Sequence, residues 1–298
     1  MPAGLRGLMS FAALALVVLA SFIHATWNLL SKRAAAAGPP FVFAYNLFCC
    51  LAYAPWVVWL LAHRAMTWSL PAAGCILLSG VVHLGYSLCL QRGYQVADLS
   101  VVYPVARGTG PLLSSLGAFL LLGEAPSLGG VLGLAAVVVG IGLISTQGDL
   151  SAFRRPGGQS GVCWGTATGG LIATYTVVDA YAVKDLGVQP VILDWCSNLL
   201  RFVLLVPFVA RNRTLARERM RGRWLLAVAV GLLSPLSYIL VLTALDMGAP
   251  LSVVAPAREM SMMVGALLGM VVLREPVGRW RLVSCLVMVL GVVLLGRS

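Results

Sequence analysis

The chain has 298 residues, 60% of them hydrophobic and 10% charged, with a mean hydropathy of +0.93 and a formal net charge of +11. A soluble domain carries about 25% charged residues, so this composition excludes one and predicts an all-α integral membrane protein, since backbone facing lipid must bond to itself. Long apolar runs that do not alternate exclude a β-barrel, and the positive charge reads as basic loops that fix orientation against the lipid bilayer, with no nucleic acid partner.

A helix needs about 20 apolar residues to cross the bilayer core. In chain order, ten segments qualify: 8–31, 41–62, 71–91, 99–122, 128–146, 161–183, 190–210, 224–245, 250–273 and 279–296. The first continues past Ala25 into Trp27 and Leu30, which reads as a retained helix rather than a signal peptide. Gly38-Pro39-Pro40, Pro71, Glu124-Ala125-Pro126, Gln189-Pro190 and Glu275-Pro276 punctuate the segments as stop and start signals. Six arginines crowd Arg211 to Arg223, with Glu218 the only acid there.

The one extended linker, 147–160, divides the chain into a first repeat at 1–146 and a second at 161–298. Tyr86, Ser100 and Pro104 match Tyr238, Ser252 and Pro256 at an offset of 152; Arg107, Glu124 and Gly140 match Arg258, Glu275 and Gly291 at 151. Five helices per repeat is an odd number, so the second half is expected to enter the membrane inverted. Such repeats favour a substrate site near the midplane between the halves.

Candidate functional residues follow from what is costly inside a membrane. Arg107 and Arg258 each follow a proline, and an intramembrane arginine marks a substrate or ion path by default. Each guanidinium offers a planar fork suited to a carboxylate or phosphate; a structural pairing is the alternative. Glu259 and Asp179 are candidate proton carriers, with structural ion pairs or packing as alternatives, and His24 is a third. On a helix, Arg258 and Glu259 point about 100° apart and need not pair. Trp27 and Asn28 share a helix face with His24, and Tyr175 shares one with Asp179. Tyr86, Tyr238 and Tyr103 complete the candidate substrate-binding set. Asp194 and Arg201 share a face too, and a structural role is expected for them. The seven cysteines lie in apolar segments without metal or redox spacing. Glycines 133, 140 and 291 suit close packing between halves or in a homodimer.

His24-Ala25-Thr26-Trp27-Asn28, Tyr103-Pro104 leading to Arg107, Leu121-Leu122-Gly123-Glu124, Ala255-Pro256-Ala257-Arg258-Glu259 and Gly291-Val292-Val293-Leu294-Leu295 resemble, in this order, the EamA-type branch of the drug/metabolite transporter superfamily. The resemblance covers essentially the whole chain. It implies ten helices and transport of a small metabolite through a cavity lined by helices one, three, four, six, eight and nine. Arg274-Glu275 departs from Gly123-Glu124 of the first half.

The expected function is secondary active transport, as an exporter, of a small polar molecule such as an amino acid or other carboxylate, in the cell (inner) membrane. No catalytic constellation, metal-ligand set or phosphate-binding loop is present in the sequence, so neither a cofactor nor ATP-driven pumping is expected. The competing reading is a polytopic membrane enzyme or scaffold acting on lipid. Counting lysines and arginines puts four on the side of the termini and fourteen opposite. That favours outside termini by the positive-inside rule, whereas the resemblance suggests cytoplasmic ones.

Overall fold

In a computed structural model, residues 10–97, 99–273 and 279–297 are described, and all regular secondary structure among them is helical. The helices are α1 (Phe11–Arg33), α2 (Pro39–Ala62), α3 (Leu70–Val96), α4 (Leu99–Leu121), α5 (Leu128–Thr146), α6 (Gly158–Lys184), α7 (Pro190–Arg211), α8 (Arg213–Met220), α9 (Trp224–Asp246), α10 (Leu251–Ala257), α11 (Met260–Leu273) and α12 (Arg279–Gly296). Their starts follow local chemistry. Ser69 and Ser127 accept backbone N–H bonds from Ala72 and Gly130, Gln189 accepts two from Val191 and Ile192, and prolines open α2, α3 and α7.

Among the described residues, seven helices, α1, α2, α3, α5, α7, α9 and α12, are long and apolar enough to cross a membrane. Leucines such as Leu120, Leu121 and Leu286 point outward, as lipid-facing residues do. Helices α4 and α6 are as long, but rich in glycine, serine and threonine. Those small residues bring them together: a Cβ on Gly165 would lie 2.9 Å from the Val102 carbonyl.

The segment expected as one helix over 250–273 is broken. It runs as α10 and α11 with a turn at Arg258–Glu259. Pro256 has no N–H to offer the Ser252 carbonyl four residues back, and that carbonyl accepts a bond from the Ser115 hydroxyl at 3.4 Å instead. The matching Pro104 leaves α4 continuous, so only the second copy of the element breaks its helix. The last turn-like bonds at the break run from Glu259 N–H to Pro256 O and from Met262 N–H to Glu259 O. The Arg274-Glu275-Pro276 element falls outside the described residues.

The helices pack in pairs that mirror one another. α1 lies on α9 and α3 on α6; α4 lies on α6, and α11 on α1; α2 meets α7, and α5 meets α12. At the α5–α12 crossing, Gly133 and Gly291 face each other inside one chain: a Cβ on either would come within 2.9 Å of the other's carbonyl oxygen. Of the three glycines considered for packing between halves or subunits, these two and Gly140, which meets Met288 of α12, are all spent within the chain.

The loop between α4 and α5 is tied to the start of α10. Glu124 accepts bonds from Leu251 N–H at 2.6 Å, Ser252 N–H at 2.9 Å and the Ser252 hydroxyl at 2.7 Å. Lys184 at the end of α6 pairs with the same carboxylate at 2.9 Å. A carboxylate at a helix N-terminus satisfies orphan N–H groups and suits the helix dipole. Burial acts to raise the Glu124 pKa, yet these donors outweigh it and hold the group below its ordinary value.

Candidate functional site

Polar residues buried within the bundle gather around one cavity of about 100 Å³. Three arginines line it: Arg107 from α4, Arg201 from α7 and Arg258 at the α10–α11 break. Among the described residues, Asp194 is the acid on its wall, and Trp27, Tyr45, Tyr86, Tyr175 and Tyr238 supply the aromatic surface.

The break in the ninth segment organises the charges. Consecutive residues on an intact helix diverge by about 100°, but the turn lets Arg258 and Glu259 converge, with Arg258 Nε 3.8 Å from Glu259 Oε1. Glu259 Oε2 lies 2.8 Å from Arg107 Nε, and Arg107 also donates to the Ser261 hydroxyl at 3.2 Å. The expectation that the two neighbours need not meet is thus corrected. Glu259 is almost fully buried and stands behind the cavity wall, joining the two repeat-related arginines. The Arg258 carbonyl accepts a bond from Ser21 of α1 at 3.4 Å, which holds the turn against the first half.

A second polar group comes from α7. Asn198 donates to Asp194 Oδ2 at 2.9 Å, and its own side-chain carbonyl accepts from Arg201 at 2.7 Å. Asp194, Asn198 and Arg201 therefore form one hydrogen-bonded strip along the cavity. Their spacing of four and three residues is the signal that a single polar face of α7 is turned inward.

The aromatic wall is a connected set. The His83 and Tyr175 rings stack with centroids 3.7 Å apart, and Tyr175 meets Tyr86 and Tyr238 edge-on at 5.9 and 6.2 Å. His83 Nδ1 lies 2.9 Å from the Ser79 carbonyl. A carbonyl only accepts, so Nδ1 carries the proton. His83 was not among the expected site residues, nor was Tyr45 or Ser87; the run Ser79, His83, Tyr86, Ser87 repeats at helical spacing and marks the inward face of α3.

Of the expected residues, Arg107, Arg258, Tyr86, Tyr238, Trp27, Tyr175 and His24 line the cavity. Trp27 donates to the Ser237 hydroxyl at 3.2 Å, and His24 meets the Trp27 ring edge-on at 4.8 Å. Asn28 and Tyr103 do not line it; the Tyr103 ring lies 6.0 Å from the Arg107 guanidinium carbon. Asp179 stands behind the wall and accepts a 2.5 Å bond from the Tyr238 hydroxyl. The expectation of six lining helices is also corrected: α2 and α7 contribute as well, through Tyr45 and the Asp194 strip.

The arrangement can hold an anion beside a cation. Guanidinium groups face a site with aromatic walls, and one carboxylate, Asp194, shares it.

The sequence signature of the EamA-like transporter family matches residues 11–146 and again residues 159–297. A solved structure described only as "Crystal structure of protein" is similar with a TM-score of 0.74 at 17% identity, over 95% of each chain. No curated protein matches the sequence.

Proposed function

The chain belongs to the EamA-like transporter family, and we propose that it is a secondary active exporter of a small amino acid, exchanging it for a proton. The observation that carries this reading is the joint presence of Arg107, Arg201, Arg258 and Asp194 on one aromatic-walled cavity. A substrate carboxylate fits the guanidinium fork of Arg258 beside Arg107, and its ammonium fits Asp194 and the tyrosine faces.

Ten membrane passes follow if α4, α6 and the α10–α11 pair each cross once, together with the seven apolar helices. The mirrored packing of α1 on α9 and α3 on α6 supports two inverted five-helix repeats, 1–146 and 161–298. The cavity then lies where the repeats meet, and rocking one against the other opens it to alternate sides. The broken segment at Arg258 suits such a site, since irregular backbone within a membrane is tolerated where it lines a cavity.

Glu259 is held between two arginines and serves as their fixed counter-ion. Asp179 is engaged by Tyr238. Asp194 is the acid that a substrate reaches, so the exchangeable proton is assigned to it. Proton and ammonium compete for the same carboxylate, which couples inward proton movement to outward amino acid movement. In this assignment His24 lines the cavity without carrying the proton, and the protein works in the cell (inner) membrane.

Counterflow in proteoliposomes tests the reading. Labelled small amino acids are compared with their amides, which lack the carboxylate, and with their deaminated acids. Only compounds carrying both groups should exchange; equal exchange of the amides would sink the carboxylate clamp.

A further inference from the structure

A second cavity, of about 300 Å³, lies apart from the polar site, where α2, α7, α8 and α9 meet at the edge of the bundle. It is lined by consistent helix faces. α2 gives Pro40, Phe43 and Ala44; α7 gives Val206, Val209 and Ala210. The short helix α8 gives Arg213, Ala216, Arg217 and Met220, which recur at three- and four-residue spacing and so form one face. Trp224, at the start of α9, closes the end.

This face is chemically divided. Ala216 and Met220 are buried, while Arg213 and Arg217 are exposed at the same groove. Among the described residues neither arginine has an acid within salt-bridge distance. The groove sits where the apolar end of α7 gives way to the arginine-rich segment 211–223, and the half-exposed Trp224 beside it is the residue type enriched at membrane interfaces. Its volume falls at the lower end of the range of about 300–1,000 Å³ typical of ligand pockets.

We propose that this groove binds one anionic phospholipid, its phosphate held by Arg213 and Arg217 and an acyl chain laid against Phe43, Val206 and Val209. Charge complementarity fixes the occupant: an apolar slot alone takes any acyl chain, but two guanidiniums at its mouth, with no acid beside them among the described residues, select a phosphate bearing net negative charge. The shape of α8 follows from the same task. Its apolar pair seals the helix onto the bundle and its arginine pair reads the headgroup.

The test uses the full chain in detergent, stripped of lipid, with native mass spectrometry and thermal melting as readouts. Phosphatidylglycerol is added, or phosphatidylcholine with the same acyl chains, or inorganic phosphate. Phosphatidylglycerol should bind with a defined one-to-one stoichiometry and raise the melting temperature more than phosphatidylcholine, with inorganic phosphate without effect. R213Q/R217Q should weaken phosphatidylglycerol binding by about thirtyfold, roughly fivefold for each arginine, while R219Q/R221Q, which changes net charge equally outside the groove, should leave it intact. Ala210→Phe should block both lipids. Equal binding of the two lipids, equal loss in the R219Q/R221Q control, or full stabilisation by inorganic phosphate would each overturn the proposal.

Discussion

Glu259 joins the two arginines of the repeat: its carboxylate lies 2.8 Å from Arg107 Nε and 3.8 Å from Arg258 Nε. Arg107 is one half's copy of the element and Arg258 the other's. The first half has Gly108 where the second has Glu259, so one acid serves two cations and the duplicated element is asymmetric in charge.

Removing that acid leaves two buried guanidiniums without a counter-ion. Glu259→Gln should destabilise the protein by about 3–5 kcal/mol, read as a fall in the denaturation midpoint in detergent. The double variant Arg107→Gln/Glu259→Gln should lose less than the two single variants together, because the groups are in direct contact. Additive losses would show that the pair is not coupled.

Tyr238→Phe removes the hydroxyl that donates to Asp179 at 2.5 Å and leaves a buried carboxylate short of a partner. A loss of about 1–3 kcal/mol is expected. Adding Asp179→Asn should recover part of it, which the same denaturation measurement would show.

The Glu124 cap gives a pH dependence of known sign. Its folded pKa is depressed, so the carboxylate stabilises the fold fully above the unfolded value of about 4.3 and loses that contribution as pH falls through the lower folded value. Wild-type should exceed Glu124→Gln by about 2 kcal/mol at neutral pH. Melting curves from pH 7 to pH 3 should keep the full difference above about pH 4.3 and show it shrink as the pH falls further.

Gly133→Ala puts a Cβ 2.7 Å from the Gly291 carbonyl and 2.9 Å from the Leu295 backbone nitrogen. Backbone cannot move aside cheaply, so a cost of about 1–3 kcal/mol is expected. Gly142 lies in the same helix with nothing within 4 Å of its ideal Cβ, and Gly142→Ala should be neutral or stabilising by up to about 1 kcal/mol. Comparing the two melting temperatures separates close packing from helix propensity.

Much of this was legible in the residues. Prolines and capping residues mark where α2, α3 and α7 begin, and the cost of charge in lipid singles out Arg107 and Arg258 before any contact is known. The break at Arg258–Glu259 was not legible, because Pro104 and Pro256 occupy matching places and only one helix breaks. The α7 strip is not legible from the repeat, because Asp194 and Arg201 have no charged counterparts in the first half. The helical spacing of Asp194, Asn198 and Arg201 does show that one polar face of α7 turns inward, since such a face on a membrane helix turns away from lipid. His83 shows the same thing on α3, where it shares the inward face with Tyr86 one turn on.

The proposal that proton and amino acid share Asp194 calls for both fluxes to be measured together in proteoliposomes, with a pH-sensitive dye for protons and a labelled small amino acid for substrate. Wild-type should move protons opposite to the amino acid in fixed proportion, and Asp194→Asn should either stop net export or exchange amino acid without protons. Amino acid export by wild-type with no proton movement, or unchanged coupling in Asp194→Asn, would contradict it.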